Sequence, residues 1–318
     1  MTPAPSPPTA YSGGTRHGPF GILDPLAPLQ AAVPMTSGLP PQSQRAPGPA
    51  AIRGIELIGH RGDPSRFPEN TLVSLAGALG VGARSVEFDV RVAACGTPVL
   101  FHDASLERTT DGSGALVEHS LAQLRELDAG RWFHPSFSGT RVPTLEEALR
   151  VTLHAPAAGR ARRVYMELKS VRESSDLSHI LDILRRMEAM DRVVAISMDF
   201  SLLAKLRDLS PALVLGYVAD DEASLDAGLH AVRRDRNALL DPDQNLLRRH
   251  PVRTSGWIEQ GIRLATWTVN EPSHARELLA LGVRRLATDD PGGLLVGISP
   301  GAVSAGEPSG APPSPSAR

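Results

Sequence analysis

The sequence predicts an α/β protein folded as one (β/α)8, TIM-type barrel. Short β-rich runs alternate with helical patterns along the chain, which indicates a parallel sheet. Residues 52–298 provide the roughly 250 residues that such a barrel needs. Polar residues follow several of the β-rich runs, and the C-terminal ends of barrel strands are where this architecture carries functional residues.

The two ends of the chain differ in composition from the middle. Of the 28 prolines, 17 lie in residues 1–50 and 300–318. Pro-rich segments without apolar periodicity bury too little apolar surface to offset the entropy of ordering. We therefore expect a disordered N-terminal segment at 1–51, a barrel domain at 52–298 and a disordered tail at 299–318.

Charge and composition narrow the class of partner. The formal net charge is −2, and no basic cluster extends beyond short runs such as 160–163, which argues against nucleic acid and favours a small molecule. The single Cys95 excludes an internal disulfide and fits a reducing compartment. No signal-peptide pattern or run of about 18 apolar residues occurs, so a cytoplasmic protein without an integral membrane segment is expected. The oligomeric state is left open.

Nine runs have strand character, one more than a barrel holds. We suspected that the run at 238–241 or the last one lies outside the closed sheet. The connection between residues 90 and 98 is too short for a crossover helix and was expected to be extended or bulged. The nine runs are 55–59, 84–90, 98–102, 164–168, 193–197, 213–218, 238–241, 264–269 and 285–288.

Helical spacing of apolar residues predicts helices between these runs. Thr144 and Glu147 form a capping box at the start of the helix predicted over 145–153. The segment 103–142 is the longest connection and is expected to arch over one face of the barrel. The other predicted helices cover 72–79, 178–190 and 273–281.

Three carboxylates at strand ends predict a metal site. Glu87 and Asp89 are two residues apart, so both project to the same face of the second predicted strand, and Glu167 lies at the end of the fourth. Three such groups repel one another in an apolar barrel unless a positive charge lies among them. Oxygen ligands without cysteine favour one divalent cation, Mg²⁺ or Ca²⁺.

Two histidines and two cations complete the predicted site. His60 and His102 end different strands, and imidazole titrates near neutral pH, which suits general acid and base catalysis. Arg61 and Lys169 supply positive charge for an anion, and phosphate is the natural choice. Each residue alone is more often structural, and a strand tryptophan such as Trp267 is more often part of a core. Their joint position at strand ends favours a functional site.

These residues belong to a series of motifs that resembles the glycerophosphodiester phosphodiesterases over residues 58–291. The resemblance implies a phospholipase-C-like (β/α)8 barrel that converts a glycerophosphodiester into glycerol 3-phosphate and an alcohol. It implies acid and base roles for His60 and His102, and metal binding by Glu87, Asp89 and Glu167. It also implies phosphate contacts for Arg61 and Lys169 and a glycerol contact for Trp267. The motifs are His60-Arg61-Gly62, Pro68-Glu69-Asn70-Thr71, Val86-Glu87-Phe88-Asp89-Val90, Pro98-Val99-Leu100-Phe101-His102-Asp103, Arg108-Thr109-Thr110, Val142-Pro143-Thr144-Leu145, Glu167-Leu168-Lys169, Thr266-Trp267-Thr268-Val269-Asn270 and Thr288-Asp289-Asp290-Pro291.

One stretch departs from the family pattern, and two neighbouring residues receive supporting roles. Residues 93–96 replace the family's Thr-x-Asp-Gly turn, and we expected this turn at the far end of the barrel, with Gly96 preserving it. Glu69 and Asn70 are expected to cap the first helix and orient Arg61.

Two other functions remain open at this point. A lysophospholipase D would cleave lysolipids on the same site and would need apolar surface near the mouth, for which Trp132, Phe133 and Phe137 are the candidates. A non-catalytic phosphodiester-binding barrel should have lost a histidine or a metal ligand, and all five are present. The metal's identity, the leaving alcohol and the division of roles between the histidines are not assigned.

Overall fold

The computed structural model describes residues 54–154, 161–235 and 237–299. The disorder predicted for 1–51 and for the tail lies outside these residues, apart from Ser299. Eight strands are present: β1 (Glu56–Gly59), β2 (Ser85–Val92), β3 (Pro98–Leu100), β4 (Arg163–Leu168), β5 (Val193–Ser197), β6 (Val214–Ala219), β7 (Ala238–Pro242) and β8 (Arg285–Thr288).

Ten α-helices are assigned within the described residues. They are α1 (Leu72–Gly80), α2 (Leu121–Glu126), α3 (Leu145–Leu153), α4 (Ser174–Arg186), α5 (Phe200–Leu209), α6 (Glu222–Arg234), α7 (Gln244–Arg249), α8 (Pro251–Glu259), α9 (Pro272–Ala280) and α10 (Pro291–Gly297). None of the helices in this part of the chain is long and apolar enough to cross a membrane.

Seven of the strands run parallel in the order β7-β6-β5-β4-β2-β1-β8. The gap between the outer strands β7 and β8 is bridged by residues 264–267, which pair with both strands through Leu240↔Leu264 and Thr266↔Leu286. This segment occupies the position of the eighth barrel strand, and the predicted barrel architecture is confirmed. The suspicion about 238–241 and the last run was wrong, because β7 and β8 both belong to the barrel.

The strand outside the barrel is β3, which pairs antiparallel with β2 through Val90↔Leu100. The connection between residues 90 and 98 is therefore a hairpin and not a crossover. Gly96 forms its turn with a φ of 85°. Because β2 runs past Asp89 before the chain turns back, the turn lies beyond the C-terminal ends of the strands, and our placement at the far end was wrong.

Local sequence signals explain most helix starts. Thr144 and Glu147 form the predicted capping box at α3. Thr71 caps α1 by accepting a hydrogen bond from the Ser74 amide, so the capping role expected for Glu69 and Asn70 was wrong. Helix α4 begins four residues before the predicted 178, because a capping box between Glu173 and Asp176 extends it toward the N-terminus.

The barrel separates two apolar layers. The larger core lies between the sheet and the surrounding helices, and a smaller one fills the barrel, with Ile58, Tyr165, Val194 and Leu239 among its members. The long connection 103–142 has a third cluster that includes Phe101, Leu106, Leu116 and Leu124. These layers hold the strand ends rigidly, which fixes the positions of the polar residues there.

Candidate active site

The predicted residues meet in one cavity of about 110 Å³. All of them line it except Asp89, which lies fully buried next to Arg61 and Lys169. His102 enters from the β3 hairpin, because the Phe101 amide donates a hydrogen bond to the Asp89 carbonyl and brings the chain back to that level. The cavity is lined by His60, Arg61, Glu87, His102, Glu167, Lys169, Ile196, Met198, Val218, Asp241, Trp267 and Ala287.

Glu87, Asp89 and Glu167 form a buried acidic triad. An oxygen from each of the three lies within 4.8 Å of an oxygen from the others. Glu87 Oε1 is buried without a hydrogen-bond partner, which is costly for a carboxylate, and Asp89 Oδ1 has only the ion pair with Lys169 at 3.2 Å. Three converging oxygen donors with unsatisfied lone pairs fit a hard divalent cation such as Mg²⁺ or Ca²⁺.

Lys169 and Arg61 offset the negative charges of the triad unevenly. Burial and repulsion from Asp89 raise the pKa of Glu87 well above its ordinary value, and the same causes raise the pKa of Glu167. Burial would also raise the pKa of Asp89, but Lys169 and Arg61, each 3.2 Å away, outweigh burial and bring that pKa to about 2. Asp89 is thus held ionised, whereas Glu87 and Glu167 need a further positive charge nearby to ionise as readily.

His60 is oriented by a carboxylate from the last strand end. Its Nδ1 lies 2.7 Å from Asp289 Oδ1, and the other oxygen of Asp289 accepts a hydrogen bond from Asn270 at 2.8 Å. Burial would raise the pKa of Asp289, but the hydrogen bonds and charges of His60, Asn270 and Arg61 together outweigh burial and lower it. An ionised Asp289 only accepts, so Nδ1 is the donor. The Nε2 atom then faces the triad, 4.0 Å from Glu87 Oε2.

His102 is held in the same way and is linked to Arg61. Its Nδ1 lies 2.6 Å from Asp103 Oδ1, and a hydrogen bond from Arg108 lowers the pKa of Asp103. Arg108 also donates to Glu69 at 2.8 Å, and Glu69 accepts from Arg61 at 2.9 Å, so the orienting role expected of Glu69 is present. Burial lowers the pKa of His102 against the opposing effect of Asp89 and Asp103.

Trp267 lies on the segment 264–267, which occupies the eighth strand position between β7 and β8. Its indole Nε1 donates a hydrogen bond of 3.0 Å to the backbone carbonyl of Asp241, which leaves the ring facing the cavity. The neighbouring wall is formed by the apolar side chains of Ile196, Met198, Val218 and Ala287. The cavity therefore has a charged side around the triad and an apolar side around Trp267.

Sequence reasoning missed four polar residues of this site. Asp103 directly follows His102, while Asp241 and Asp289 sit at or directly after the ends of β7 and β8, so the rule that found the other residues applied to them too. Asp241 was overlooked because its strand was suspected of lying outside the barrel. Asp103, Asn270 and Asp289 stand in the motifs of the family resemblance, but no role was assigned to them. The contact of Asn270 with Asp289 depends on the closed barrel.

The buried carboxyl of Asp241 should make the difference in stability between the wild type and Asp241→Asn depend on pH. Burial and repulsion from Glu167 raise its pKa to about 7. The unfolded chain, with a pKa of about 3.9, releases this proton earlier, so ionising Asp241 destabilises the fold progressively from about pH 4 to pH 7. In chelator at pH 8, Asp241→Asn should raise the free energy of unfolding by a few kcal/mol, which corresponds to about 2 to 4 °C in Tm for each kcal/mol.

At pH 4 the Asp241→Asn gain should largely vanish, because the wild-type carboxyl is then protonated in the folded state and about half protonated in the unfolded one. Asp243→Asn is the matched control, since Asp243 only caps α7 and asparagine caps equally well. Thermal melts at both pH values measure the difference. A gain of equal size at both would contradict the raised pKa.

Comparison with known proteins gives one consistent result. The profile of the Glycerophosphoryl diester phosphodiesterase family matches residues 60–293. A glycerophosphodiester phosphodiesterase of Caldanaerobacter subterraneus is 29% identical, over 74% of this chain and 94% of the relative. One of Bacillus subtilis is also 29% identical, over 74% of this chain and 84% of the relative.

Solved structures agree with the sequence relatives. A phosphodiesterase of Oleispira antarctica in complex with the product sn-glycerol-3-phosphate matches with a TM-score of 0.69 and 29% identity, covering 76% of this chain and 96% of that one. A glycerophosphodiester phosphodiesterase of Agrobacterium tumefaciens matches with a TM-score of 0.65 and 26% identity, covering 77% and 99%.

Proposed function

Since the chain belongs to the glycerophosphoryl diester phosphodiesterase family, we propose that it hydrolyses glycerophosphodiesters to glycerol 3-phosphate and an alcohol, using one divalent cation and two histidines. The observation that carries this proposal is the shared cavity. Two histidines, each held at Nδ1 by a carboxylate, face a buried acidic triad with Arg61 and Lys169 beside it.

Arg61 and Lys169 are the proposed phosphate contacts. Burial would lower the pKa of each, but Asp89 and the other neighbouring carboxylates together outweigh burial and raise both pKa values, so both groups are cationic. Arg61 is fixed by Glu69 and can present its guanidinium to phosphate oxygens. Lys169 lies 2.7 Å from Glu167 and contributes a point charge. Glu87, Asp89 and Glu167 would hold the cation, which when bound polarises the phosphoryl group.

The histidines are the proposed proton carriers. One Nε2 takes the proton of the attacking hydroxyl as its oxygen bonds to phosphorus, and the other Nε2 gives a proton to the alcohol oxygen as the P–O bond breaks. The carboxylates on Nδ1 fix each ring's tautomer and stabilise its cationic form, as in other histidine-carboxylate pairs. If water attacks, glycerol 3-phosphate forms directly. If the glycerol 2-hydroxyl attacks, a cyclic phosphate forms, and water then opens it to glycerol 3-phosphate. A substrate with the 2-hydroxyl blocked separates the two routes.

The test of this proposal is product release from a substrate panel. We expect glycerol 3-phosphate to form from several glycerophosphodiesters in the presence of Mg²⁺ or Ca²⁺ and to stop when a chelator is added. Activity that persists in chelator would contradict the metal requirement. Binding of a glycerophosphodiester without product release would instead support the non-catalytic alternative.

A second candidate function is lysophospholipase D activity on the same site. Met198 lines the cavity and is 44% exposed, so an apolar chain could lie against it. Trp132 is also exposed and packs edge to face on Phe133, and Phe133 packs on Phe137. Lysolipids in the same panel decide between the two substrates: a kcat/KM for lysolipids above that for deacylated diesters would favour the second candidate.

We also propose that residues 52–298 form the catalytic unit. The family match and the described barrel both fall within this span. A shortened chain of residues 52–298 should therefore keep the melting temperature and kcat of the full chain, because Pro-rich, aperiodic sequences carry little apolar surface that a barrel could bury. Circular dichroism melts and the product assay measure both. Failure of the shortened chain to fold would show that residues before 52 or after 298 are part of the domain.

A further inference from the structure

Asp241 is a buried carboxyl for which the mechanism above gives no use. It is the penultimate residue of β7, lines the cavity and is 5% exposed. Its Oδ1 has no hydrogen-bond partner. Buried polar groups in native proteins are nearly always satisfied, and the exceptions cluster where a ligand completes them.

Asp241 faces the triad from the opposite side of the barrel. β4, β5 and β6 separate β7 from β2 in one direction, and residues 264–267, β8 and β1 separate them in the other. A phosphate held by Arg61 on the β1 end and Lys169 on the β4 end therefore directs one of its ester groups across the cavity toward β7.

The wall around Asp241 offers no competing polar group among the described residues. Ile196, Val218 and Ala287 are apolar, and the indole nitrogen of Trp267 is already bonded to the Asp241 carbonyl. A ligand group that reaches this wall meets an aromatic ring and one unsatisfied carboxyl oxygen. The partner that suits both is a short hydroxylated carbon chain.

We infer that Asp241 is a specificity-determining residue that accepts a hydrogen bond from a hydroxyl of the substrate's glycerol group. This inference rests on the proposed function. The leaving alcohol varies between glycerophosphodiesters and needs open space, whereas glycerol is constant and fits an enclosed wall. The cavity of about 110 Å³ also lies well below the roughly 300 Å³ of a drug-sized pocket, which favours a small group.

The test measures binding of product and of two deoxy analogues by calorimetry, in saturating Ca²⁺ and at pH 8, where Asp241, with a pKa raised to about 7, is mostly ionised. The ligands are glycerol 3-phosphate, 3-hydroxypropyl phosphate, which lacks the middle hydroxyl, and 2-hydroxypropyl phosphate, which lacks the terminal one. The wild type should discriminate against the analogue that lacks the hydroxyl bound by Asp241. It should bind this analogue about 10- to 100-fold more weakly than glycerol 3-phosphate, the scale of a hydrogen bond to a charged group. In Asp241→Ala this preference should fall to nearly 1, because the protein and ligand changes remove the same bond.

Asp241→Asn keeps an acceptor without the charge and should lose about 3- to 10-fold of the preference, which decides the matter if the alanine variant does not fold. Asp243→Asn should keep the wild-type preference. The inference is overturned if the preference is unchanged in Asp241→Ala and Asp241→Asn. It is also overturned if these variants lose discrimination between leaving alcohols instead, for example choline against ethanol. If the wild type neither binds glycerol 3-phosphate nor releases it from diesters, the proposed function fails as well.

Discussion

Replacing either His60 or His102 with alanine should lower kcat by roughly 100-fold or more, the usual scale for a lost proton-transfer group. The melting temperature should barely move, because both rings line a cavity and neither belongs to an apolar core. Steady-state kinetics on a glycerophosphodiester and thermal melts measure the two effects. His179→Ala, on the exposed face of α4, is the matched control and should change neither.

The double variant and the leaving group sharpen this prediction. If both histidines act on one transition state, the double variant should be much less impaired than the product of the two single losses implies. A nitrophenol leaving group needs no proton as it departs, so it should largely rescue the variant that lacks the general acid. The variant that lacks the base should stay slow. Equal slowness of both on this substrate would contradict the division of roles, and near-wild-type kcat in either would remove that histidine from the mechanism.

The residues that could be located from sequence share one geometric rule. His60, Glu167 and Lys169 lie at or just beyond the ends of parallel strands, and such ends meet whatever the details of the fold. Alternation along a strand then places Glu87 and Asp89 on the same face. These are local properties, so a single sequence contains them.

The errors arise where position depends on pairing between distant segments. Nothing in the β3 residues themselves distinguishes a barrel strand from the return arm of a hairpin, and only its antiparallel register with β2 does so. The contact between His60 and Asp289 spans 229 positions and requires β8 to lie beside β1. The placement of Asp241 likewise depends on residues 264–267, which close the barrel. Only this closure identifies β7 as a strand of the barrel.

Glu87→Gln and Glu167→Gln should weaken apparent metal affinity by at least about 10- to 100-fold, because each keeps the side chain's shape and removes a charged oxygen donor. Activity at low metal should fall by a similar factor and return in part as metal is raised. Titrations of the initial rate with Mg²⁺ and with Ca²⁺ measure both effects. Glu259→Gln changes an exposed residue at the end of α8 and is the control.

The same substitutions that lower activity should not lower the stability of the metal-free protein. In chelator near neutral pH, Glu87→Gln should be at least as stable as the wild type, because burial and the repulsion from Asp89 and Glu167 that raise the pKa of Glu87 are relieved. Added metal should then raise the melting temperature of the wild type more than that of either variant, since the stabilisation by a bound ligand grows with the logarithm of its affinity. A variant that loses activity and melts lower in chelator has lost structure instead of a ligand. Equal metal dependence in the wild type and both variants would remove the triad from the metal site.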